Sequence, residues 1–180
     1  VPNPFLKVTA KPVTVIDEDI LTILDDMMET MYHANGIGLA ATQIAIDKRL
    51  IVMDCGKTKF ETQNNSEEEY DKKIKDEQFE PFPIKMINPE IISLGKNLEE
   101  REEGCLSIPG YNAKIKRPSS LKVKYTDENK KDNIIDAEGL LATCIQHEID
   151  HLNGILFIDH LSRLKREIIL KKAIKEYSKN

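Results

Sequence analysis

The sequence of 180 residues has no tryptophan, only 6% aromatic residues and three cysteines. An odd number of widely spaced cysteines does not form the disulfide framework of a small secreted protein. The longest apolar runs, such as residues 50–53, fall far short of the roughly 20 residues that a membrane-spanning helix needs. These absences exclude a disulfide-rich secreted domain and predict that the chain does not enter a membrane.

An excess of positive charge is also missing, because 31 acidic residues outnumber 26 basic ones and give a formal net charge of −5. No extended basic surface is available to follow a phosphate backbone, so we expect no direct binding of nucleic acid. At 40% hydrophobic residues, a chain of this length can bury a core of its own. We therefore predict one domain over residues 1–180.

Residues 17–36 have the pattern of one amphipathic helix. Apolar residues recur at three- and four-residue steps from Ile20 to Met31, which is the spacing of one buried helix face. Asp17 is a candidate N-cap and Gly36 a stop signal. A ligand surface is the alternative for the methionine-rich face, but ordinary core packing is the better interpretation.

Strands alternate with turn-forming residues in the middle of the chain, and we predict them at about 49–54, 84–92, 113–116 and 121–126. Residues 137–153 are apolar on most sides and predict a helix inside the domain, and residues 163–177 predict a final amphipathic helix. The expected fold class is α+β. Antiparallel or mixed strands wrap around a central helix, with an N-terminal and a C-terminal helix beside them.

Residues 56–80 are rich in Lys, Glu, Asn and Gln and contain little to bury. We predict a solvated insertion or a long hairpin loop in this region. Its acidic run at residues 67–69 is a candidate docking site, but a solvated surface is the better interpretation, and we assign no function to it.

His147 and His151 are four residues apart, so they lie one turn apart on the same face of the predicted helix. Two imidazoles at this spacing reach a single metal ion, and a glutamate between them, here Glu148, transfers protons in such motifs. Core histidines satisfied by hydrogen bonds are the alternative, which the paired spacing with an acid between them disfavours. The motif predicts a divalent metal site for hydrolysis.

A hydrolytic metal site needs a third protein ligand and one open position. A histidine six residues after His151 is absent, because Phe157 occupies that position. Glu167 or Glu176 can coordinate only if the last helix folds back over the site, and this option leaves a zinc endopeptidase as an alternative function. The remaining candidate for the third ligand is a cysteine. Cys55 and Cys144 are better interpreted as small buried apolar residues, whereas Gly104 lets the backbone at Cys105 approach a ligand closely and favours Cys105.

Residues 36–43 combine two glycines with small residues and Gln43, which lets another chain segment pack against their backbone. A phosphate-binding loop is disfavoured, because no Lys-Ser/Thr pair follows and no strand precedes. This segment, residues 103–107 and residues 147–151 match, in order, the motifs GxGxAAxQ, EGCxS and HExxH of the peptide deformylase family. The chain resembles that family through most of its length outside the insertion.

The resemblance implies a function and the residues that perform it. The implied reaction is hydrolysis of the N-formyl group from the N-terminal formyl-methionine of newly synthesised polypeptides, with release of formate. The implied roles are metal ligation by Cys105, His147 and His151, acid–base catalysis by Glu148, and oxyanion stabilisation by Gln43 and the amide of Leu106. Fe(II) is favoured by the resemblance, while one thiolate and two imidazoles also suit Zn(II), Co(II) or Ni(II). A binding module that keeps the metal but lacks catalysis is disfavoured by the intact Glu148.

Residues next to these groups are the candidates for the substrate pocket. Leu140, Thr143 and Cys144 share the helix face of His147 and are expected to line a pocket for the methionine side chain, with core packing as the alternative. Further substrate contacts are assigned to the glycine-rich and cysteine motifs, at Gly36, Ile37, Gly38, Glu103 and Gly104. By analogy with the family, Arg117 is expected to pair with Asp150 behind the ligand helix.

One position departs from the family pattern. Many members have an arginine seven residues beyond the metal cysteine that helps to hold the substrate backbone, whereas this chain has Asn112. The preference of the chain for residues beyond the first one of the substrate is therefore open.

The implied partners are formylated nascent peptides, with transient proximity to the ribosome. Lys and Asn are abundant relative to Arg, and together with the polar insertion they favour an organelle of bacterial descent, a plastid or mitochondrion, as the location. Bacterial cytoplasm is the alternative. The sequence begins at Val1 rather than Met, which leaves room for a removed targeting segment.

Overall fold

The structure is a computed structural model that describes residues 3–56 and 80–177. Nearly all of the insertion predicted at 56–80 therefore lies outside the described residues, and this insertion and the single domain over 1–180 stay predictions. Within the described part of the chain, no helix is both long enough and apolar enough to cross a bilayer.

The described residues contain three α-helices at the predicted places, α1 (Glu18–His33), α2 (Gly139–Leu152) and α3 (Arg163–Tyr177). Asp17 is the N-cap of α1, and its carboxylate accepts a hydrogen bond from the Ile20 amide at 3.0 Å. This bond satisfies one of the free N–H groups at the start of the helix. Leu24, Met27 and Met31 are completely buried, so the core interpretation of the methionine-rich face is confirmed.

The strands of the described residues are β1 (Gly38–Ala40), β2 (Leu50–Asp54), β3 (Pro83–Leu94), β4 (Leu98–Gly104), β5 (Asn112–Pro118), β6 (Ser120–Thr126) and β7 (Asp132–Glu138). A larger antiparallel sheet has the order β1-β2-β3-β6-β7, and β4 pairs with β5 in a smaller one. The sequence predicted β2, β3, β5 and β6 but omitted β1, β4 and β7. The helix predicted from residue 137 starts later, because Ala137 belongs to β7.

Two hydrophobic clusters meet at β2, and every residue of this strand is buried. Ile51 and Met53 belong to the cluster shared with α2, whereas Leu50 and Val52 belong to the cluster shared with α1. Successive side chains of a strand point to opposite faces, so each helix packs on one face of β2. Helix α2 contacts strands of both sheets, and the expected α+β arrangement around a central helix is therefore present.

Asp54 holds the end of β2 and is only 2% exposed. Its Oδ1 accepts hydrogen bonds from the Gly56 and Phe82 amides, each at 2.9 Å, and its Oδ2 accepts one from Tyr32 Oη at 2.6 Å. Burial opposes ionisation, but these three hydrogen bonds outweigh it and lower the pKa of Asp54. The bond to Asp54, together with burial, raises the pKa of Tyr32 to about 12. One carboxylate thus joins α1 to the two backbone positions that flank residues 57–79.

Helix α2 ends in a Schellman motif at Gly154. The Gly154 amide donates to the His151 carbonyl at 3.1 Å, and the Ile155 amide donates to the Asp150 carbonyl at 2.9 Å, which are the two bonds of that motif. Gly154 has a φ of +72°, and a Cβ atom on it would lie 2.6 Å from the carbonyl oxygen of Lys7. The end of the ligand helix therefore requires glycine for its conformation and for the close approach of the N-terminal segment.

Replacing Gly154 with alanine tests this packing, with Gly110→Ala as the matched control. Both glycines have positive φ, but a Cβ on Gly110 meets no atom within 4 Å. We expect Gly154→Ala to lower the free energy of unfolding by about 2 kcal/mol more than Gly110→Ala does, because only the former also meets backbone. Urea denaturation of both variants measures the difference. Equal losses would show that the contact with Lys7 adds nothing.

Replacing Tyr32 with phenylalanine tests the hydrogen bond to Asp54. We expect a loss of about 1 kcal/mol in the free energy of unfolding at pH 7. The pKa of Tyr32 is higher in the folded state, so its contribution is complete below the ordinary value of 10.0 and is lost as the pH rises through about 12. Denaturation of parent and variant at pH 7, 9 and 11 should show a difference that shrinks at the highest pH. A constant difference would contradict this origin.

Candidate metal and catalytic site

Three potential metal ligands converge in the structure. Cys105, His147 and His151 each offer one ligand atom, and these atoms all lie within 4.8 Å of one another. The two histidines come from successive turns of α2, with ring centroids 4.9 Å apart, and Cys105 follows directly after β4. Cys105 Sγ lies 3.2 Å from His151 Nε2. The residues that the sequence singled out are therefore brought together by contact between the smaller sheet and α2.

The alternative third ligands are engaged elsewhere. Glu167 accepts a hydrogen bond from Arg163 Nε at 2.8 Å, and Glu176 forms a hydrogen bond with Tyr111. Among the described residues, neither glutamate belongs to the cluster of potential ligands. The cluster of potential ligands among the described residues is thus one thiol and two imidazoles.

Glu103 orients the first histidine. Its Oε2 lies 2.9 Å from His147 Nδ1, and Arg117 binds both carboxylate oxygens, with Nε–Oε1 and Nη2–Oε2 distances of 2.6 and 3.1 Å. Burial opposes ionisation of this carboxyl, but the hydrogen bonds from His147 and Arg117 outweigh it and lower the pKa of Glu103. An ionised Glu103 keeps the proton on Nδ1 and leaves His147 Nε2 facing the cluster. Both carboxylate oxygens of Glu103 are engaged by His147 and Arg117, so Glu103 supports His147, and its expected contact with substrate stays a prediction.

Arg117 continues this network to the far side of α2. Its Nη1 donates to Asp150 Oδ2 at 2.8 Å, and the same oxygen lies 2.7 Å from His160 Nε2. Burial disfavours the charge of Arg117, but Glu103 and Asp150 outweigh burial and raise the pKa of the guanidinium. Arg117 and Asp150 are thus paired in the structure, at the place that the family analogy indicated.

The two imidazoles are in different electrostatic environments. Burial lowers the pKa of His151 to about 3, so its ring is neutral at physiological pH. Burial acts in the same direction on His147, but hydrogen bonds with Cys105 and Glu103 outweigh it and raise the pKa of His147 to about 10. A cation held by His147 would have to displace the second proton that this raised pKa favours on the ring.

Glu148 lies between the histidines and lines the adjoining cavity. Burial raises the pKa of its carboxyl to about 7, which is the range in which a carboxylate can both accept and return a proton. Its Oε2 is buried without a hydrogen-bond partner among the described residues. A Cβ atom on Gly38 would lie 2.4 Å from Glu148 Oε1, so the glycine of the first motif allows this backbone to pass the carboxylate.

Gln43 has a fixed orientation beside the cluster. Its Oε1 accepts a hydrogen bond from the Ala40 amide at 2.8 Å, so the Nε2 group points the other way. Gln43 Nε2 lies 3.1 Å from Ser107 Oγ and 3.5 Å from Cys105 Sγ. The carboxamide therefore presents N–H donors to the region between Cys105 and the cavity.

The cavity beside these groups has a volume of about 440 Å³. All eight residues that the sequence assigned to substrate contact line it, although Glu103 faces the ligand network as described: Gly36, Ile37, Gly38, Glu103, Gly104, Leu140, Thr143 and Cys144. Leu106, Asn112 and Gln43 line the same cavity. The three motifs thus surround one space large enough for a side chain and the start of a peptide.

Two residues of this region had no role in the sequence analysis. Ser107 contacts Gln43, and the final serine of the EGCxS motif was the signal that could have identified it. His160 contacts Asp150 through the turn that follows α2, and the sequence contains no signal for this contact. Ser107 is placed by its position two residues after Cys105, whereas His160 approaches the site through tertiary packing.

Comparisons with known proteins agree with this geometry. A model of the polypeptide deformylase family matches residues 1–167. A peptide deformylase of Agrobacterium fabrum is 45% identical over 174 residues, which cover 97% of this chain and 91% of that protein. A peptide deformylase of Bradyrhizobium diazoefficiens is 48% identical over 173 residues, which cover 95% of this chain and 90% of that protein.

Solved structures give the same result. The crystal structure of peptide deformylase from Ehrlichia chaffeensis has a TM-score of 0.84 at 37% identity and covers 99% of this chain and 94% of that one. The crystal structure of a peptide deformylase from Legionella pneumophila has a TM-score of 0.80 at 40% identity and covers 99% of this chain and 92% of that one. Identity and coverage extend over nearly the whole length. This chain therefore belongs to the polypeptide deformylase family, the metal-dependent hydrolases that remove the N-formyl group from the formyl-methionine of newly synthesised polypeptides.

Proposed function

We propose that this chain performs deformylation with Cys105, His147 and His151 as the ligands of one divalent cation. The convergence of these three ligand atoms within 4.8 Å carries the proposal. One thiolate and two imidazoles suit Fe(II), Zn(II), Co(II) or Ni(II), and the family resemblance favours Fe(II). The His147 contact with Glu103 supports the assignment, because a histidine ligand commonly donates its second N–H to a carboxylate. When bound, the cation supplies Lewis acidity, which makes hydroxide available at neutral pH and polarises the formyl carbonyl.

Glu148 acts as general base and then as general acid. Its unpartnered, buried oxygen is available to accept a proton from the attacking water. The same carboxyl then delivers the proton to the leaving amide nitrogen, so that formate and a free amine are produced. The raised pKa supports both roles, since neither protonation state is strongly preferred near neutral pH.

Gln43 and the amide of Leu106 stabilise the negative charge that develops on the formyl oxygen. Gln43 is suited to this role because Ala40 fixes its carboxamide and leaves the Nε2 group beside Cys105. Leu106 follows the ligand cysteine directly and lines the cavity. One donor of this kind typically contributes roughly 3 to 4 kcal/mol to the transition state.

The methionine side chain of the substrate enters the cavity beside α2. Leu140, Thr143 and Cys144 line the cavity from the helix face of His147, and Ile37 and Leu106 add apolar surface from the two other motifs. The backbone of Gly36, Gly38 and Gly104 leaves room for the peptide. Arg117 and Asp150 support the ligands from behind and do not contact substrate.

The physiological partners are formylated nascent peptides, which places the enzyme near the ribosome at least transiently. We propose bacterial cytoplasm rather than an organelle as the location. Relatives from alphaproteobacterial species at 45–48% identity support this choice. A plant peptide deformylase structure is 30% identical. The preference for an organelle, which rested on composition, is therefore replaced by its alternative.

Replacing Cys105 with alanine tests the ligand set. We expect cation affinity to fall by more than about 100-fold, because even the outer partners of ligands contribute roughly 10- to 100-fold. Metal analysis of anaerobically purified protein measures the bound cation directly. Cys55→Ala is the matched control and should retain it, since Cys55 lies outside the ligand cluster. Full occupancy in Cys105→Ala would contradict the assignment and favour the endopeptidase arrangement with a glutamate ligand.

Replacing Glu148 with glutamine tests the acid–base role. We expect kcat for formyl-Met-Ala-Ser to fall by about 10²- to 10⁴-fold while the bound metal is retained, because only the proton transfer is removed. Glu138→Gln is the control, an exposed carboxyl at the start of the same helix. Turnover by Glu148→Gln at the parent rate would refute the role. A parent protein that binds metal without turnover would instead indicate a binding module.

A further inference from the structure

A second cavity, of about 370 Å³, lies between the start of β5 and helix α3, and is called the β5–α3 groove here. Its apolar lining includes Leu161, Ile168 and Ile169, and Ile168 is 45% exposed. Lys114 from β5 and Lys165 from α3 add positive charge on opposite sides. The proposed mechanism uses none of these five residues.

The groove continues from the catalytic cavity, because Asn112 lines both. Side chains alternate along a strand, so Asn112 and Lys114 lie on the same face of β5, and both are exposed. Two residues of strand span about 7 Å, which is also the advance of two residues of an extended peptide. A peptide that leaves the catalytic cavity past Asn112 therefore meets Lys114 next.

The two cavities differ in charge. Among the described residues, the lining of the catalytic cavity includes Glu102 and Glu148 but no lysine or arginine, whereas the groove has two lysines and no acidic residue. Lys114 lies 3.9 Å from Glu100, a distant and exposed pair. Lys165 is exposed and forms no ion pair with the described residues. Glu102 also lies opposite Lys114 in the pairing of β4 with β5, so the charge of Lys114 is partly compensated and Lys165 supplies the unpaired positive charge. The groove therefore combines apolar surface with a net positive charge, which is complementary to a peptide with acidic and apolar residues.

We propose that the β5–α3 groove binds the part of the formylated peptide beyond its third residue and gives the enzyme a preference for acidic residues there. The occupant is the substrate itself, because the groove is continuous with the site where its first residue reacts. The proposal rests on the deformylase activity. Formyl-Met-Ala-Ser lacks the tail, so its turnover is the reference for the catalytic site.

Peptides with different tails test the proposal. Formyl-Met-Ala-Ser is extended by Glu-Leu-Glu, Gln-Leu-Gln or Lys-Leu-Lys, and KM and kcat are measured for each and for the tripeptide. We expect the Glu tail to have a KM about fivefold lower than the Lys tail at low salt, as two exposed ion pairs allow. The kcat should be the same for all tails, since binding remote from the reacting bond acts equally on ground and transition states. The difference in KM should vanish at about 0.5 M salt.

Charge reversal identifies the groove as the cause. The double variant Lys114→Glu/Lys165→Glu should invert the order of the tails, whereas Lys171→Glu, an exposed lysine of α3 outside the groove, should preserve it. Lys165→Gln should give an intermediate ratio of KM values and serves if the double variant does not fold. Equal KM values for all tails in the parent, or the parent order in the double variant, would overturn the proposal. A dimer that buries the groove and dissociates in the double variant would also overturn it, whereas loss of tripeptide turnover would be a failure of the catalytic assignment.

Discussion

The buried ion pair between Glu103 and Arg117 is the interaction on which the geometry of the site depends. Two charges inside a protein are strongly destabilising unless they pair and their remaining hydrogen-bonding capacity is used. Here the pairing is bidentate, and His147 and Asp150 take the remaining positions. Glu103 precedes Cys105 by two residues and His147 by 44, so the pair fastens the smaller sheet to α2. The thiol reaches the imidazoles because this contact sets the distance between the two elements.

The same helix carries groups that a folded core normally avoids. Glu148 Oε2 and His151 Nδ1 are buried and have no hydrogen-bond partner among the described residues, and each such atom typically costs about 1 to 3 kcal/mol. Apolar residues of α2, such as Ile145 and Leu152, are completely buried against the sheet and offset this cost. Buried polar atoms without hydrogen-bond partners, when they are concentrated at one location, commonly mark a functional site. Packing of the apolar face against the sheet keeps the helix stable, although its other face carries buried polar atoms without partners among the described residues.

The sequence predicted those parts of the structure whose signals are local. Helix spacing, the Asp17 cap and the three motifs identified the helices and the residues that converge at the cavity. Strand β4 was missed because its sequence, LEEREEG, has one buried residue and no alternation, so only pairing with β5 makes it a strand. Strand β1 has three residues, and β7 joins directly to α2. The contacts of Glu103 with Arg117 and His147 were not predicted, because these partners are 14 and 44 residues away. Contacts at such separations leave no trace in a local pattern.

Asp54 fixes the end of β2 and so separates the register of the sheet from the length of chain between Gly56 and Phe82. Asp54 Oδ1 accepts hydrogen bonds from the amides of both Gly56 and Phe82. A single atom therefore holds together the two backbone positions at which the chain leaves the sheet after β2 and returns to it before β3. The entropic cost of closing a loop rises only with the logarithm of the loop length, by about 0.6 kcal/mol for each doubling. A flexible connection of any length between these two amides would therefore be closed at small thermodynamic cost while the sheet keeps its register. The junction makes this position a suitable site for grafting a reporter sequence.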